Sequence, residues 1–144
     1  MIHLEPVTPE NWRCGLRVRE DQRRFAADSA GLLARAYAYR AHRSEALVIY
    51  ADDTPVGMAL YYDLEELRAY DLSQLFIDAR YQGRGYGTEA VRLLLQRLKT
   101  DGKFEKAVLC YVDGDEAARH LYEKLGFHPT GEAEEDEIVM ERML

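Results

Sequence analysis

The sequence predicts an α/β protein of the α+β kind, with one mixed, mostly antiparallel sheet, about four helices and a single domain over residues 1–144. Apolar runs typical of strands occur mostly in neighbouring pairs, as expected for antiparallel hairpins. In contrast, the runs at residues 72–77 and 106–112 are separated by a helical pattern, which predicts a parallel crossover. The expected order is β-α-α-β-β-β-α-β-α-β-β.

Local signals define the elements of the first half. Thr8 can cap a helix and Pro9 suits its first position, with Trp12 and Leu16 following at helical spacing. The other elements expected here are a strand at residues 2–7, a second helix at 29–41, a hairpin with strands at 46–51 and 56–62 around a turn at 52–55, and a charged connection at 63–70.

The second half contains a strand, a glycine-rich bend and a helix with an apolar stripe, at residues 72–77, 82–87 and 85–100. After the strand at 106–112, Asp115 is expected to cap a fourth helix. Gly126 stands where a left-handed C-terminal cap belongs. A hairpin should close the chain, with residues 127 onward, a solvated turn at 132–137 and a strand at 138–143.

Composition narrows the classes of function. Nineteen Lys and Arg against 26 Asp and Glu leave a net charge of −7, so no nucleic acid is expected as a partner. An acidic protein suits a cationic small substrate, although the charge taken alone favours the simpler explanation that it only confers solubility. We expect no membrane span or signal peptide, no metal site from the four scattered histidines, and reduced, structural cysteines at Cys14 and Cys110, consistent with a cytoplasmic protein.

The bend at residues 82–87 is the most informative segment, because three alternating glycines open a helix directly after a strand. Backbone N–H groups at such a helix start can cradle a pyrophosphate. The spacing does not match the GxGxxG of dinucleotide-binding folds, and the Lys and Ser/Thr of a P-loop are absent. A purely structural turn remains an alternative, but it would not require three glycines.

Two motifs carry a family resemblance. Gln82-x-x-Gly85-x-Gly87 resembles the pyrophosphate-binding motif of the GCN5-related N-acetyltransferases (GNAT), and residues 121–127 resemble that family's second motif at the expected distance. Weaker likenesses to the spermidine/spermine acetyltransferases occur at residues 8–12, 56–61, 76–82 and 131–140. The resemblance implies the GNAT fold, with the central parallel strands splayed around acetyl-coenzyme A.

The resemblance also implies which residues contact the coenzyme. Asp115 stands where many family members have Asn, so its polar contact to the pantetheine arm would differ. Arg84 could contact phosphate or could be an ordinary surface arginine. The expected coenzyme-binding residues are Leu75, Phe76, Ile77, Gln82, Gly83, Arg84, Gly85, Tyr86, Gly87, Thr88, Asp115, Ala118 and Lys124.

Attack of an amine on a thioester needs a base, an oxyanion donor and an acid. An alkyl ammonium with a pKa of about 10.4 must first lose a proton. By resemblance, Tyr122 protonates the leaving thiolate, and a backbone N–H near Phe76 or Ile77 meets the oxyanion. The base candidates are carboxylates in the substrate-facing part of the fold, with Asp71 and Glu66 preferred through an ordered water and Glu20, Asp28 and Glu65 as further candidates.

The expected function is therefore transfer of an acetyl group from acetyl-coenzyme A to a small-molecule amine, with a polyamine such as spermidine or spermine preferred. Several spaced carboxylates would suit a linear polycation. A protein N-terminus, a lysine, an amino acid and an aminoglycoside remain alternative acceptors, and a coenzyme A-binding module without turnover is a further alternative. The resemblance leaves a homodimer open, with the terminal strands as the place to look for its interface.

Overall fold

The computed structural model describes residues 1–18 and 28–144. Its strands and helices, in chain order, are β1 (Ile2–Pro6), α1 (Ser29–Ala38), β2 (Glu45–Ala51), β3 (Thr54–Leu64), β4 (Ala69–Ile77), α2 (Tyr86–Asp101), β5 (Lys106–Val112), α3 (Glu116–Lys124), β6 (His128–Glu134) and β7 (Glu137–Met143). Short 3-10 helices lie at Arg40–His42, Glu65–Leu67 and Ala79–Tyr81.

All seven of these strands form one sheet in the order β1-β2-β3-β4-β5-β7-β6. Within the described part of the chain, only the contact between β4 and β5 is parallel, and α2 makes the crossover between them. The mixed, mostly antiparallel sheet with one central parallel pair is confirmed.

Helices cover both faces of the sheet. On β3, Met58, Leu60 and Tyr62 alternate toward the face that packs with Leu32 of α1. Ala59 points to the opposite face, which packs against Ala90 and other residues of α2. The predicted buried stripe of α2 is confirmed, since it consists of Ala90, Val91, Leu94, Leu95 and Leu98.

The prediction of a helix that begins at Thr8 is wrong for the described residues up to position 18. The backbone N–H groups of Asn11 and Trp12 both donate to the Thr8 carbonyl, which makes a single turn. The Asn11 side chain accepts from Thr8 N at 2.7 Å, and Gly15 adopts a φ of +71°. A side chain competing for the backbone and a left-handed glycine end the turn. The described residues hold three α-helices.

Several predicted boundaries also move. Half of the connection expected at residues 63–70 is strand, because the ladder continues with Asp63 opposite Tyr70 and Leu64 opposite Ala69. The charge of Asp63 does not prevent this, since Arg43 and Lys103 hydrogen-bond to its carboxylate. α1 ends at Ala38 rather than 41, and β6 runs to residue 134, which leaves a turn of two residues in the closing hairpin.

Candidate active site

The sheet opens between β4 and β5. Two residue pairs are in register across this parallel contact, Tyr70 with Ala107 and Asp71 with Val108. β4 nevertheless continues to Ile77 and β5 continues to the end of its own range. Beyond the two pairs the strands separate, so that backbone groups on the facing edges leave the ladder. The expected splayed pair is confirmed.

A β-bulge in β4 lies where the strands separate. β3 and β4 pair Leu60 with Gln74 and Tyr61 with Leu72, which leaves Ser73 as an extra residue on β4. An extra residue on one strand bends it and increases its twist. The bulge therefore accounts for the turn of β4 away from β5.

The glycine-rich bend joins the open end of β4 to α2. Gly83 and Gly85 adopt φ values of +78° and +81°, which a residue with a Cβ adopts only with strain. Gly87 answers a different need, because a Cβ there would lie 3.2 Å from Cδ1 of Leu121 on α3. Two physical reasons thus account for the three glycines, a left-handed backbone at Gly83 and Gly85 and close packing at Gly87.

A cavity of about 500 Å³ lies at this bend. In the described part of the chain no side chain caps the start of α2, where Gly85 is the N-cap residue, so its first N–H groups are available to an anion. The cavity is lined by Ile77, Ala79, Tyr81, Gln82, Gly83, Gly85, Tyr86, Gly87, Thr88, Ala117 and Leu121. Seven of the predicted coenzyme-binding residues are therefore brought together here.

Gln82 has a second contact besides lining the cavity. It donates from Nε2 to the carbonyl of Ile77 at 2.9 Å and so ties the bend to β4. Other predicted coenzyme residues lie outside this cavity. The Arg84 guanidinium lies 5.8 Å from the centre of the Tyr81 ring. Lys124 is exposed on the last turn of α3, and the Phe76 side chain is buried beneath α1.

Asp78 supports the bend, although the prediction from sequence did not assign it a role. Its buried carboxylate accepts hydrogen bonds from the backbone N–H groups of Arg17 and Arg80 and from the Arg80 guanidinium, at 2.8 to 3.3 Å. Burial acts to raise the pKa of Asp78, but these hydrogen bonds outweigh it and hold the pKa below its usual value. An aspartate directly after a strand is typical of an N-cap, and this signal could have identified Asp78 as the cap of the 3-10 helix Ala79–Tyr81.

A second cavity, of about 250 Å³, lies between the separated strands. It brings Tyr122 of α3 together with Asp71 of β4, two residues predicted to do chemistry. Leu75 and Asp115, both predicted to contact the coenzyme, also line it. The full lining is Arg35, Asp71, Leu72, Ser73, Gln74, Leu75, Cys110, Tyr111, Val112, Asp115, Tyr122 and Glu137.

Tyr122 is held by packing and by its backbone. Its ring meets Phe127 edge-on with the centroids 5.8 Å apart, and its carbonyl accepts from the N–H groups of Leu125 and Phe127. Burial, with a smaller contribution from the negative charge of Asp115, raises the pKa of Tyr122 to about 12. The phenol is therefore protonated at neutral pH and can donate.

Asp115 caps α3, as predicted. Its Oδ1 accepts from the N–H of Ala118 at 3.1 Å, so Ala118 contributes its backbone to the cap. Because Asp115 also lines the cavity, its charge is close to any group that binds there.

Asp71 occupies the last paired position before β4 and β5 separate. Burial raises the pKa of its carboxyl to about 6, and the nearby charge of Glu137 acts in the same direction. A hydrogen bond from Tyr62 and the positive charge of Arg35 oppose this rise. A carboxylate with this pKa is ionised in most molecules at neutral pH and is suited to accept a proton.

The other base candidates lie outside this cavity or outside the residues that the structure describes. Asp28 caps α1, where its Oδ1 accepts from the N–H of Gly31 at 2.7 Å. Glu66 is exposed on the 3-10 helix Glu65–Leu67, at the end of β3 and β4 remote from the bend. Glu20 lies outside the described residues. The base roles of these three residues stay predictions.

Two further cavity residues differ from expectation. Cys110, expected in the core, is exposed, because β4 has turned away from this part of β5 and no longer covers it. Glu137, which we assigned to a solvated turn, is the first residue of β7 and lines the cavity. Its register opposite Val112 depends on strand pairing that the local sequence does not specify.

The described residues also bear on two other kinds of feature, metal centres and membrane-spanning helices. Groups of three or more His, Cys, Asp or Glu side chains that could hold a metal ion are absent from this part of the chain. None of its helices combines the length and the apolar character needed to cross a membrane.

Comparison with known proteins identifies relatives over nearly the whole chain. The model of the acetyltransferase (GNAT) family matches residues 6–127. The spermine/spermidine N(1)-acetyltransferase of Bacillus subtilis is 27% identical over 137 residues, which cover 91% of this chain and 90% of that protein.

Solved structures share the fold. The spermidine N-acetyltransferase of Vibrio cholerae, in complex with coenzyme A and spermine, superimposes with a TM-score of 0.79 at 18% identity, covering 99% of this chain and 95% of that one. An aminoglycoside acetyltransferase in complex with coenzyme A gives a TM-score of 0.81 at 18% identity and the same coverage. At this identity the likeness establishes the architecture and leaves the acceptor undetermined.

Proposed function

Because the chain belongs to the acetyltransferase (GNAT) family, we propose that it transfers the acetyl group of acetyl-coenzyme A to a primary amine, with a polyamine such as spermidine or spermine as the preferred acceptor. The observation that carries the proposal is the meeting of Tyr122 and Asp71 in one cavity, at the point where β4 and β5 separate. In the proposed reaction, Tyr122 with a pKa of about 12 is the acid and Asp71 with a pKa of about 6 is the base.

The bend fits the pyrophosphate of the coenzyme. A Cβ at Gly83 or Gly85 would meet no protein atom within 4 Å, so the backbone there is open to a ligand. The unsatisfied N–H groups at the start of α2 and the positive end of its dipole favour an anion. When bound, acetyl-coenzyme A supplies the thioester that is attacked. Gly83, Gly85, Gly87 and Thr88 are the residues proposed to hold its phosphates.

Asp71 and Tyr122 divide the proton transfers. Asp71 accepts a proton from the incoming ammonium, directly or through water, and so generates the nucleophilic amine. Tyr122 donates to the departing thiolate, because its raised pKa keeps the phenol protonated, and the second proton that the nitrogen loses on becoming an amide restores the phenol. A backbone N–H near Phe76 or Ile77 on the released edge of β4 stabilises the oxyanion, since a donor fixed in a strand needs no reorganisation.

The polyamine preference rests on the charges of the cavity and on the curated relative. Asp71, Asp115 and Glu137 line the cavity from three different elements, whereas Arg35 contributes one positive charge. Spaced carboxylates can hold the second ammonium of a linear polyamine while the first one reacts. The 27% identical relative is named for spermine and spermidine. A cytoplasmic location and a homodimer stay predictions.

The function is tested by release of free thiol from acetyl-coenzyme A with a panel of amines. The panel holds spermine, spermidine, putrescine, lysine, a kanamycin-type aminoglycoside and a short peptide with a free N-terminus. We expect the highest kcat/KM with spermidine or spermine. Turnover confined to another amine would keep the acetyltransferase and overturn the polyamine.

Tyr122→Phe tests the proton donor within the same assay. The substitution keeps the ring that packs on Phe127 and removes only the hydroxyl, so kcat should fall by about 100-fold while the fold is retained. Tyr50→Phe is the matched control, because Tyr50 stacks on His3 at the β1–β2 edge of the sheet. Equal kcat values for Tyr122→Phe and the control would exclude Tyr122 as the donor.

Glu137→Gln tests the binding of the distal ammonium. The KM for spermidine should rise by about fivefold, and the KM for a monoamine such as propylamine should change little, because only the polyamine has a second charge to lose. Proportional changes for the two amines would contradict a contact between Glu137 and the distal ammonium.

A further inference from the structure

Tyr62 faces Asp71 directly across the β3–β4 ladder. Cross-strand partners project to the same face of a sheet, so the two side chains are neighbours. The Tyr62 side chain is 4% exposed, and its ring stacks on Tyr39 with the centroids 4.1 Å apart and the planes at 6°. The ring is therefore fixed, and Tyr62 lies close enough to Asp71 to lower the pKa of its carboxyl.

The bulge residue extends this contact toward α1. The Arg35 guanidinium donates to Oγ of Ser73 at 3.1 Å, and Ser73 lies close enough to Tyr62 to lower the pKa of its phenol. A guanidinium can only donate, so Ser73 accepts from Arg35 and has its own proton to give to the Tyr62 oxygen. With Tyr62 beside Asp71, the available donors are ordered in one direction, from a cation toward the carboxylate.

We propose that Tyr62 is a positioning residue, whose hydroxyl donates to the ionised Asp71 carboxylate and so orients and stabilises it, with Ser73 and Arg35 orienting the hydroxyl in turn. The inference rests on the proposed function only for its effect on rate, since the contacts themselves do not depend on the reaction. On this proposal the bulge at Ser73 has two effects, since it opens the sheet and also brings Ser73 to Tyr62.

Other groups also face Asp71 and must be kept constant in a test. Arg35 and Tyr62 lower the pKa of Asp71, whereas burial and Glu137 raise it. The remaining titratable side chains of the same cavity come from β5 and α3, namely Cys110, Tyr111, Asp115 and Tyr122. Tyr62→Phe leaves all of these in place and preserves the stack on Tyr39, so it removes one hydrogen bond.

The test is a site-specific titration of Asp71. Carboxyl carbon shifts of ¹³C-labelled aspartates are followed against pH by NMR, and the Asp71 signal is assigned by its loss in Asp71→Asn. In Tyr62→Phe the midpoint should rise by about one pH unit. In Ser73→Ala it should rise by less, because Tyr62 can still donate. Tyr50→Phe is the matched control and should leave the midpoint unchanged.

The pH dependence of kcat/KM gives the second readout. With the midpoint moved up by one unit, Tyr62→Phe should lose about fivefold at pH 6, and the loss should shrink toward pH 8.5. An unchanged Asp71 midpoint in Tyr62→Phe overturns the inference, whatever the rates. A raised midpoint without any change in the pH–rate profile supports the positioning of Asp71 and overturns its assignment as the base.

Discussion

At the scale of single residues, Asp71 is held in a state that serves proton transfer and opposes folding. Burial raises its pKa to about 6, whereas an aspartate in an unfolded chain titrates near about 3.9. The native state therefore binds more protons than the unfolded state between these values, and stability falls as pH rises through this window. The ionised carboxylate at neutral pH costs stability in exchange for basicity.

Asp71→Asn should separate the two effects. At pH 8 we expect kcat/KM to fall by about 100-fold, because the base is lost. The free energy of unfolding should rise by about 1–2 kcal/mol at the same pH, since a buried charge is replaced by a neutral amide. The stability gain should vanish toward pH 4, where the wild-type carboxyl is protonated in the native state.

Urea unfolding at several pH values, alongside thiol release, checks both parts of this prediction. A variant less stable than wild type at pH 8 would show that the native contacts of the carboxylate outweigh its desolvation. The direction of the raised pKa would then be contradicted.

At the scale of elements, the contact between β3 and the end of β4 leaves no room for a side chain at Gly57. A Cβ there would lie 2.3 Å from the backbone oxygen of Phe76 and 2.9 Å from Cδ1 of Ile77. Gly87 is less constrained, because the atom its Cβ would approach is the end of the Leu121 side chain, at 3.2 Å.

The two glycines should therefore respond differently to alanine. Gly57→Ala must move the backbone of β4 and should lower the free energy of unfolding by about 3 kcal/mol or more. Gly87→Ala lies within α2, where alanine favours the helix, and the Leu121 side chain can shift, so the change should stay within about 1 kcal/mol. Urea unfolding of both variants checks the contrast, and equal losses would contradict it.

Elements with strong local signals were predictable. The strand at residues 106–112, the stripe of α2 and the Asp115 cap depend on periodicity and on a side chain three residues from its partner. The prediction of a helix from Thr8 was wrong because the effects of Asn11 and Gly15 outweigh those of a capping residue and a proline. The approach of Tyr62 and Glu137 to Asp71 depends on register, and a single bulge residue can change that register.

At the scale of the whole molecule, the sheet is open at one end and tied at the other. Only two residue pairs join β4 to β5, so the two halves of the sheet depend on other contacts. At the closed end, the Tyr70 hydroxyl donates to Asp101 at the end of α2 and accepts from the backbone N–H of Lys103. Arg43 binds both Asp101 and the buried Asp63.

Asp63 connects this ionic network, which consists of Arg43, Asp63, Tyr70, Asp101 and Lys103. Its side chain is 2% exposed and lies 2.7 Å from both Arg43 Nε and Lys103 Nζ. Burial acts to raise the pKa of Asp63, but the hydrogen bonds from Arg43 and Lys103 outweigh it and hold the pKa below its usual value. The stabilisation by this network is therefore fully present above about pH 4, because above that pH aspartate is ionised in the unfolded chain as well.

Asp63→Asn should lower the free energy of unfolding by about 2–4 kcal/mol at pH 7, because Arg43 and Lys103 lose their shared buried partner. Glu65→Gln is the control, since Glu65 pairs with the same Lys103 but is 62% exposed, and its loss should cost less than about 1 kcal/mol. The difference between wild type and Asp63→Asn should shrink as pH falls below about 4, because the unfolded wild-type chain then binds a proton at Asp63 that the native state, with its lowered pKa, binds only at lower pH. Urea unfolding between pH 3 and 7 measures this difference in the free energy of unfolding. A difference independent of pH would assign the loss to packing instead of charge.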